Sequence, residues 1–181
     1  MFNILVNTEY EWLFETLKTN ASKFFYIKLY DFSCPDENQY KQLSGTDAII
    51  GQKMNLSDAQ YEAAGKLQII QTLSAGFEQI DLAKAKQRNV YVANSRGANA
   101  ESVAEHVLMM ILALYRQLIF HHNSVTKGTW TCLKYQNRGL SGKTLGIFGL
   151  GNTGKALARR ATVFGVNIKY FDIVRQADAD K

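Results

Sequence analysis

Short apolar runs alternate with amphipathic segments along the first hundred residues. Amphipathic segments predict helices at 9–18, 57–66 and 78–88, and the second of these begins with a Ser57–Asp58 capping signal. Strands that alternate with short helices favour a parallel sheet that is covered on both faces. Residues 1–98 are therefore expected to form a flavodoxin-like α/β domain. The runs typical of its strands cover residues 2–6, 24–30, 47–51, 67–72 and 90–94.

A long apolar segment follows this domain. Residues 99–120 are rich in Ala, Leu and Met and predict one helix that begins at Asn99 or Ala100. Because it is apolar on most sides, it is expected to be buried on most sides, between domains or subunits. Residues 121–142, with the sequences KGTW and NRGLSGK, predict a loop or arm. A second α/β pattern then predicts a strand, a helix and a strand at 143–150, 153–165 and 166–172.

The composition is that of an ordinary globular protein, with 46% hydrophobic and 20% charged residues in a chain of 181. The sequence predicts neither a membrane span nor a signal peptide. Cys34 and Cys132 are too few for a disulfide framework or a zinc site, so a cytoplasmic protein with reduced thiols is expected. The net charge is −1 over residues 1–100 and +6 over 101–181. The basic residues are dispersed without interleaved aromatic residues, so no nucleic-acid partner is expected.

The sequence GIFGLGNTG at 146–154 carries the most informative motif. Gly149, Gly151 and Gly154 have the G-x-G-x-x-G spacing, after a strand pattern and at the start of a helix pattern. In this motif the first glycine allows a tight turn and the second lets the backbone approach a pyrophosphate. The third lets the helix pack close to the strand. A pyrophosphate would accept hydrogen bonds from N–H groups at the helix N-terminus, including those of Asn152 and Thr153.

An acidic residue completes this motif. Asp172 ends the next predicted strand, 21 residues after Gly151, where a carboxylate can accept hydrogen bonds from ribose hydroxyls. The same carboxylate repels a 2′-phosphate, so NAD is favoured over NADP, although Arg175 weakens this discrimination. The alternative is a plain strand–turn–helix in which Asp172 only ends a strand. A P-loop does not fit, because Ala156 stands where a serine or threonine is required.

The segments SAGFEQID (74–81), VAEH (103–106) and GKTLGIFGLGNTG (142–154) resemble the D-isomer-specific 2-hydroxyacid dehydrogenases, over essentially the whole chain. The resemblance implies an NAD-dependent oxidoreductase that moves hydride between a small 2-hydroxy acid and its 2-keto acid. Ser74, Ala75 and Gly76 match the turn whose backbone N–H groups hold the substrate carboxylate. Val103 matches a position that contacts the nicotinamide end of the cofactor. The long helix and the KGTW arm match segments that form the family's homodimer.

The resemblance also implies a catalytic Arg, Glu and His, which the family carries beyond its second nucleotide-domain strand. Since this chain stops just after that strand, residues 99–181 are expected to be the truncated start of a Rossmann domain. The chain is then an N-terminal fragment with no catalytic residue, marginal stability, weak NAD binding and no turnover alone.

The three histidines offer no substitute for the missing catalytic residues. His106 is interpreted as a packed helix residue, and the side chains of His121 and His122 diverge, so no metal site is predicted. The alternative function is a non-catalytic dimerisation or regulatory module derived from that family. A third hypothesis is another Rossmann enzyme with a late glycine loop, such as a relative of alanine dehydrogenase.

Overall fold

A computed structural model describes residues 1–32, 37–52, 54–130 and 137–176. The chain divides into two compact units, residues 1–96 and 97–181. The interpretation of Cys34 and Cys132 as reduced thiols concerns positions outside the described residues.

The first unit is a parallel sheet covered by helices. The sheet order is β2-β1-β3-β4-β5 and every strand pair is parallel. This is the flavodoxin-like order, so the predicted fold class is confirmed. Its strands are β1 (Phe2–Asn7), β2 (Phe25–Tyr30), β3 (Ala48–Gly51), β4 (Ile69–Thr72) and β5 (Tyr91–Ala93). A 3-10 turn (Thr8–Tyr10) precedes the helices α1 (Glu11–Asn20), α2 (Glu37–Ser44), α3 (Asp58–Ala63) and α4 (Leu82–Gln87).

The core of this unit lies on the central strands. Ile49 of β3 pairs with Leu5 of β1 and with Ile70 of β4, and all three side chains are buried. Leu43 of α2 is also fully buried against this cluster. Burial of each such side chain stabilises the folded state by about 1.5–3 kcal/mol. An unbroken apolar run in the sequence therefore identifies a strand of this core.

Local hydrogen bonds set the helix starts in this unit. The Ser57 signal is confirmed as a capping box, in which the Ser57 hydroxyl accepts from the Gln60 N–H and the Gln60 side chain accepts from the Ser57 N–H. The helix predicted from residue 78 begins instead after Asp81, whose carboxylate accepts from the Lys84 N–H. Residues 78–81 are thereby left in the turn that follows β4.

The second unit contains a strand–helix–strand motif. Strands β6 (Thr144–Phe148) and β7 (Asn167–Phe171) are parallel, and α7 (Asn152–Thr162) connects them. Two further helices, α5 (Ala100–Tyr115) and α6 (Leu118–Thr126), come before this motif. Ala104 of α5 is buried in one cluster with Ala156 and Leu157 of α7, so small residues allow a close approach of the two helices.

The single helix predicted at 99–120 is wrong, because it is two helices bent by 61° at their junction. Gln117 lies at the break with a φ of 49°, in the left-handed region. The carbonyl of Tyr115 accepts a hydrogen bond from the backbone N–H of Arg138 at 3.1 Å instead of continuing the helical ladder. Helix α6 then runs to Thr126, into the region predicted as a loop or arm.

Helices α5 and α6 also expose more apolar surface than the sequence indicates. Only Ala100 and Ala104 of α5 are buried, so burial on most sides is not achieved within this chain. Leu114 is 77% exposed and Ile119 is 70% exposed. Over the described ranges no single helix meets the length and hydropathy needed to cross a membrane, although the bent α5–α6 pair meets them jointly.

Candidate functional site

The carboxyl ends of β3 and β4 open into a cavity of about 200 Å³ in the first unit. The turn Ser74–Gly76 lies directly after β4, and both Ser74 and Gly76 line this cavity. Ala75 is exposed in the same turn and is not a lining residue. The structure therefore brings the predicted carboxylate-binding turn to a pocket large enough for a small acid.

Side-chain donors hold every carbonyl of this turn. The Thr72 hydroxyl donates to the carbonyl of Ser74 at 2.8 Å, and the Asn94 amide donates to that of Ala75 at 2.7 Å. The Ser74 hydroxyl donates to the carbonyl of Gly76 at 2.8 Å. Three consecutive carbonyl groups are thus bound within the protein and cannot rotate freely.

The N–H groups of the turn, in contrast to its carbonyl groups, are available to a ligand. Across the described ranges, the backbone N–H groups of Ala75, Gly76 and Phe77 have no acceptor. Consecutive N–H groups without partners form a concave donor set that suits an anion. The turn can therefore bind a carboxylate through its backbone.

Residues after β5 fix the turn in place, and the sequence reasoning did not identify them. The Ser95 N–H donates to the carbonyl of Ser74 and the Ser95 hydroxyl donates to that of Thr72, both at 3.0 Å. Asn94 and Ser95 follow β5, whose carboxyl end lies at the same sheet edge as that of β4. The polar residues that follow each strand, at an edge that the two strands share, were the sequence signal that could have identified Asn94 and Ser95.

The three glycines of the G-x-G-x-x-G motif differ in what the fold requires of them. Gly149 has a φ of +90°, and a Cβ on Gly154 would collide with the carbonyl of Gly149. Gly151 has a φ of −74°, and nothing lies within 4 Å of the position its Cβ would take. The fold requires the first and third glycines, whereas the second leaves open space that a ligand can fill.

The start of α7 supplies free donors beside that space. No acceptor within the described chain receives the backbone N–H of Asn152 or Thr153. The Asn152 side chain lies over Gly97, whose φ is +83° and where a Cβ would clash with the Asn152 amide. A helix N-terminus with unpaired donors attracts an anion, so this loop has the features of a phosphate site.

Asp172 has a structural role that the sequence did not reveal. One carboxylate oxygen accepts from the Val174 N–H at 3.1 Å and the other accepts from the Leu150 N–H at 2.6 Å. These hydrogen bonds lower the pKa of Asp172 below its ordinary value of 3.8, and the one from the Val174 N–H has the largest effect. Asp172 therefore connects the end of β7 to the glycine loop. A carboxylate accepts about four hydrogen bonds, so capacity remains for ribose hydroxyls.

Other candidate residues lie outside these two clusters. Val103 is on the first turn of α5, 38% exposed, and its N–H donates to the carbonyl of Asn99. The interpretation of His106 as a packed residue is wrong, because it is exposed on α5. His121 contacts the Asn137 side chain at 3.2 Å through Nε2. Among the residues that the structure describes, no three His, Cys, Asp or Glu side chains converge as a metal site.

A flavodoxin-like sheet followed by a strand–helix–strand motif with a dinucleotide-type glycine loop defines a class of two-part α/β proteins. Within that class, residues 11–172 match the sequence model of the D-isomer specific 2-hydroxyacid dehydrogenase catalytic domain. The chain belongs to this family, as its motifs predicted.

Curated relatives have names consistent with this family. A glyoxylate reductase of Korarchaeum cryptofilum is 33% identical over 146 residues, and one of Thermococcus litoralis is 32% identical over 169 residues. These matches cover 78% and 88% of this chain, but 44% and 51% of the two relatives. A hydroxypyruvate reductase of Thermotoga maritima is 39% identical over 111 residues, 61% of this chain and 36% of that protein. The chain thus spans about half the length of these relatives, or less.

Solved structures show the same fold. A 2-hydroxyacid dehydrogenase from Ketogulonicigenium vulgare Y25 has a TM-score of 0.82 at 27% identity, covering 99% of this chain and 57% of that one. A D-lactate dehydrogenase from Aquifex aeolicus, complexed with NAD and lactic acid, has a TM-score of 0.78 at 28% identity. That match covers 98% of this chain and 54% of the other.

The Asp172 contacts predict a pH dependence of the glycine loop. Since the folded-state pKa is lowered, the carboxylate stabilises the loop above its ordinary pKa, and this contribution is lost as the pH falls through the folded-state value. In NMR spectra recorded from about pH 6 down to about pH 2.5, the Leu150 and Val174 amide signals should titrate with an apparent pKa below 3.8.

Asp172→Asn should abolish this titration. Asp58, whose pKa is lowered mainly by its hydrogen bond from Lys84, titrates in the same acidic range and is the internal control. The Asp58 signal should be unchanged in the variant. Loop amides that titrate equally in the wild type and in Asp172→Asn would contradict the assignment.

Proposed function

We propose that this chain carries the NAD-binding and substrate-binding elements of an oxidoreductase that transfers hydride between a 2-hydroxy acid and its 2-keto acid. The observation that carries the proposal is the geometry at Gly151, where neither backbone conformation nor packing calls for glycine. Family membership supports the proposal, as do NAD-bound neighbours such as the Aquifex aeolicus D-lactate dehydrogenase.

The glycine loop would hold the pyrophosphate of NAD. The open space at Gly151 lets a phosphate approach the backbone, and the free N–H groups of Asn152 and Thr153 would donate to its oxygens. Gly149 shapes the turn, and Gly154 lets α7 pack against it. When bound, NAD supplies hydride acceptor and donor chemistry, and the protein residues bind and orient the two reactants.

Asp172 and Val103 would hold the two ends of the cofactor. The remaining acceptor capacity of Asp172 suits the adenosine ribose hydroxyls, and its negative charge disfavours the 2′-phosphate of NADP. Val103 would contact the nicotinamide end.

The turn of Ser74, Ala75 and Gly76 would bind the substrate carboxylate. Its held carbonyls and free N–H groups form a donor set that does not need a cationic side chain. A carboxylate held there would place the rest of a small acid in the adjoining cavity of about 200 Å³.

Alanine substitutions at the three glycines separate ligand binding from folding. Gly151→Ala should change the free energy of unfolding by less than about 0.5 kcal/mol. It should nevertheless weaken NAD binding at least about tenfold, because a methyl group enters the phosphate space. Gly149→Ala, at positive φ, and Gly154→Ala, against a carbonyl, should each destabilise the chain by about 1–3 kcal/mol. Urea unfolding and NMR titration with NAD measure the two effects, and normal NAD binding by Gly151→Ala would refute the phosphate site.

The 181-residue chain should show no turnover with NADH and glyoxylate, hydroxypyruvate or pyruvate. Proton transfer in this reaction needs a general acid or base. The resemblance to the family implies a His for this step, and none of the three histidines of the chain lines the cavity of the first unit. The measurement is NADH absorbance over hours at high protein concentration. Measurable turnover by the wild-type chain would contradict this prediction.

A homodimer through α5 and α6 is the second part of the proposal, and it would also suit a non-catalytic module. The two helices border a largely apolar groove of about 440 Å³, lined by Leu108, Met109, Leu112 and Leu118 among others. Leu114 and Ile119 are exposed nearby. A large exposed apolar surface favours association, and a second copy offers the same surface.

Leu114→Asp should weaken self-association at least about tenfold, because it places a charge in the apolar contact. Leu82→Asp, at an exposed leucine of α4 in the first unit, is the matched control and should leave association unchanged. Sedimentation equilibrium measures both. A wild-type chain that stays monomeric at about 100 μM would contradict the proposed dimer.

A further inference from the structure

Four charged side chains join α5 to α7 in the second unit. Glu101 and Glu105 lie one turn apart on α5, and Arg159 and Arg160 lie in the last turn of α7. One carboxylate oxygen of Glu101 accepts from Nη2 of Arg159 at 2.6 Å, and the other pairs with Nη2 of Arg160. The same Arg160 nitrogen is 3.2 Å from the Glu105 carboxylate. The four residues therefore form one network rather than separate ion pairs.

Arg160 lies at the centre of this network and is anchored to its own helix. Its side chain is 25% exposed, whereas those of the other three residues are 54% to 68% exposed. Its Nη1 donates to the carbonyl of Ala156, one turn earlier on α7, at 3.3 Å. The guanidinium thus pairs with two successive carboxylates of α5 while it stays bound to α7. A shift of α5 along its axis would break this arrangement.

Apolar packing fixes the first turns of α5 only weakly. The buried residues of α5 are Ala100 and Ala104, and each has a single methyl group as its side chain. Two packed helices are normally held in register by larger side chains that interlock as ridges and grooves, and methyl groups form only shallow ridges. The contact of Ala104 with Ala156 therefore sets how close the helices lie. The charged network supplies the directional contacts that set their register.

Helix α7 is in turn fixed to the glycine loop. A Cβ on Gly154 would lie 2.2 Å from the carbonyl oxygen of Gly149, so the first turn of α7 packs directly on the loop backbone. The register of α5 on α7 consequently decides where the first turn of α5 lies relative to the free N–H groups of Asn152 and Thr153.

We propose that Glu101 and Arg160 are positioning residues for the cofactor, because they set the separation between the phosphate-binding loop and Val103. Val103 is two residues beyond Glu101, which is about 200° around the helix. It is 38% exposed and projects from another side of α5 than the network does. This inference rests on the proposed function, since it concerns the same cofactor site.

A ligand that spans both places depends on this separation, and a shorter ligand does not. NAD would reach from the N–H groups of Asn152 and Thr153 to Val103. ADP has the adenosine and the pyrophosphate but no nicotinamide half, so it would contact the loop and Asp172 alone. The ratio of the two affinities therefore reports the position of α5 separately from the integrity of the loop.

The test measures this ratio by NMR titration of the isotopically labelled 181-residue chain with NAD and with ADP. Glu101→Gln and Arg160→Gln should each lower the affinity for NAD relative to ADP at least about threefold, because the nicotinamide end loses its contact. The shift of the Val103 amide signal on addition of NAD should decrease in both variants. The urea midpoint of unfolding should change little, since exposed ion pairs add little stability.

The sign of the effect distinguishes positioning from net charge. Glu101→Gln removes a negative charge, which by itself would slightly strengthen the binding of either anion. Positioning instead requires NAD to bind more weakly in this variant, as it does in Arg160→Gln. Asp58→Asn, which breaks the ion pair with Lys84 in the first unit, is the matched control and should leave the ratio unchanged.

Exchange of the four charges tests the pairing itself. The variant with Glu101→Arg, Glu105→Arg, Arg159→Glu and Arg160→Glu keeps the net charge and reverses every pair. Its NAD to ADP ratio should return to within about twofold of the wild-type ratio, because opposite charges again meet at the same positions.

The outcomes separate this inference from the proposed function. A ratio that is unchanged in Glu101→Gln and Arg160→Gln would overturn the positioning role alone. So would NAD that shifts the Asn152 and Thr153 amide signals of the wild type but not the Val103 signal. If neither ligand shifts the Asn152 and Thr153 signals in the wild type, the phosphate site is wrong and both proposals are overturned.

Discussion

Backbone N–H groups that have no acceptor in the described part of the chain are the feature on which both candidate sites depend. In the first unit they belong to Ala75, Gly76 and Phe77, in the turn after β4. In the second unit they belong to Asn152 and Thr153, at the start of α7. Parallel strands end at one edge of a sheet, and the turns that leave them have no ladder partner there. Such turns can direct several donors at one anion without any cationic side chain.

Unpaired N–H donors can bind an anion only if the backbone that carries them is held in place and cannot rotate to pair them within the protein. Thr72 and Asn94 hold the carbonyls of the first turn, and Ser95 connects it to the loop after β5. Asp172 performs the equivalent task in the second unit, since it binds the N–H of Leu150 within the glycine loop. Each unsatisfied donor lowers stability by about 1–3 kcal/mol where water is excluded, and a bound anion removes that cost.

The strands and the glycine loop could be predicted from the sequence because their signals are local. An apolar run of five or six residues indicates a strand regardless of its neighbours, and the spacing of Gly149, Gly151 and Gly154 is fixed by one turn. Helix α2 was missed because Tyr40 and Leu43 are its only apolar residues. The break at Gln117 was not predicted, and the hydrogen bond that accompanies it, from the Arg138 N–H to the Tyr115 carbonyl, joins residues that are far apart in the sequence.

The site was predictable only in part, for the same physical reason. Ser74, Ala75 and Gly76 were identified from a resemblance, whereas Thr72, Asn94 and Ser95 act through bonds between separate loops. The roles of individual glycines are also tertiary, since the backbone conformation and packing around each one distinguish a required glycine from one that leaves open space.

The central claim is that backbone donors of this chain hold a dinucleotide at the glycine loop. A crystal structure of the chain grown with NAD tests it most directly. We expect pyrophosphate oxygens within about 3 Å of the Asn152 and Thr153 nitrogens, beside Gly151, with ribose hydroxyls at Asp172. NAD bound elsewhere, with the space at Gly151 filled by water or by a protein side chain, would contradict it.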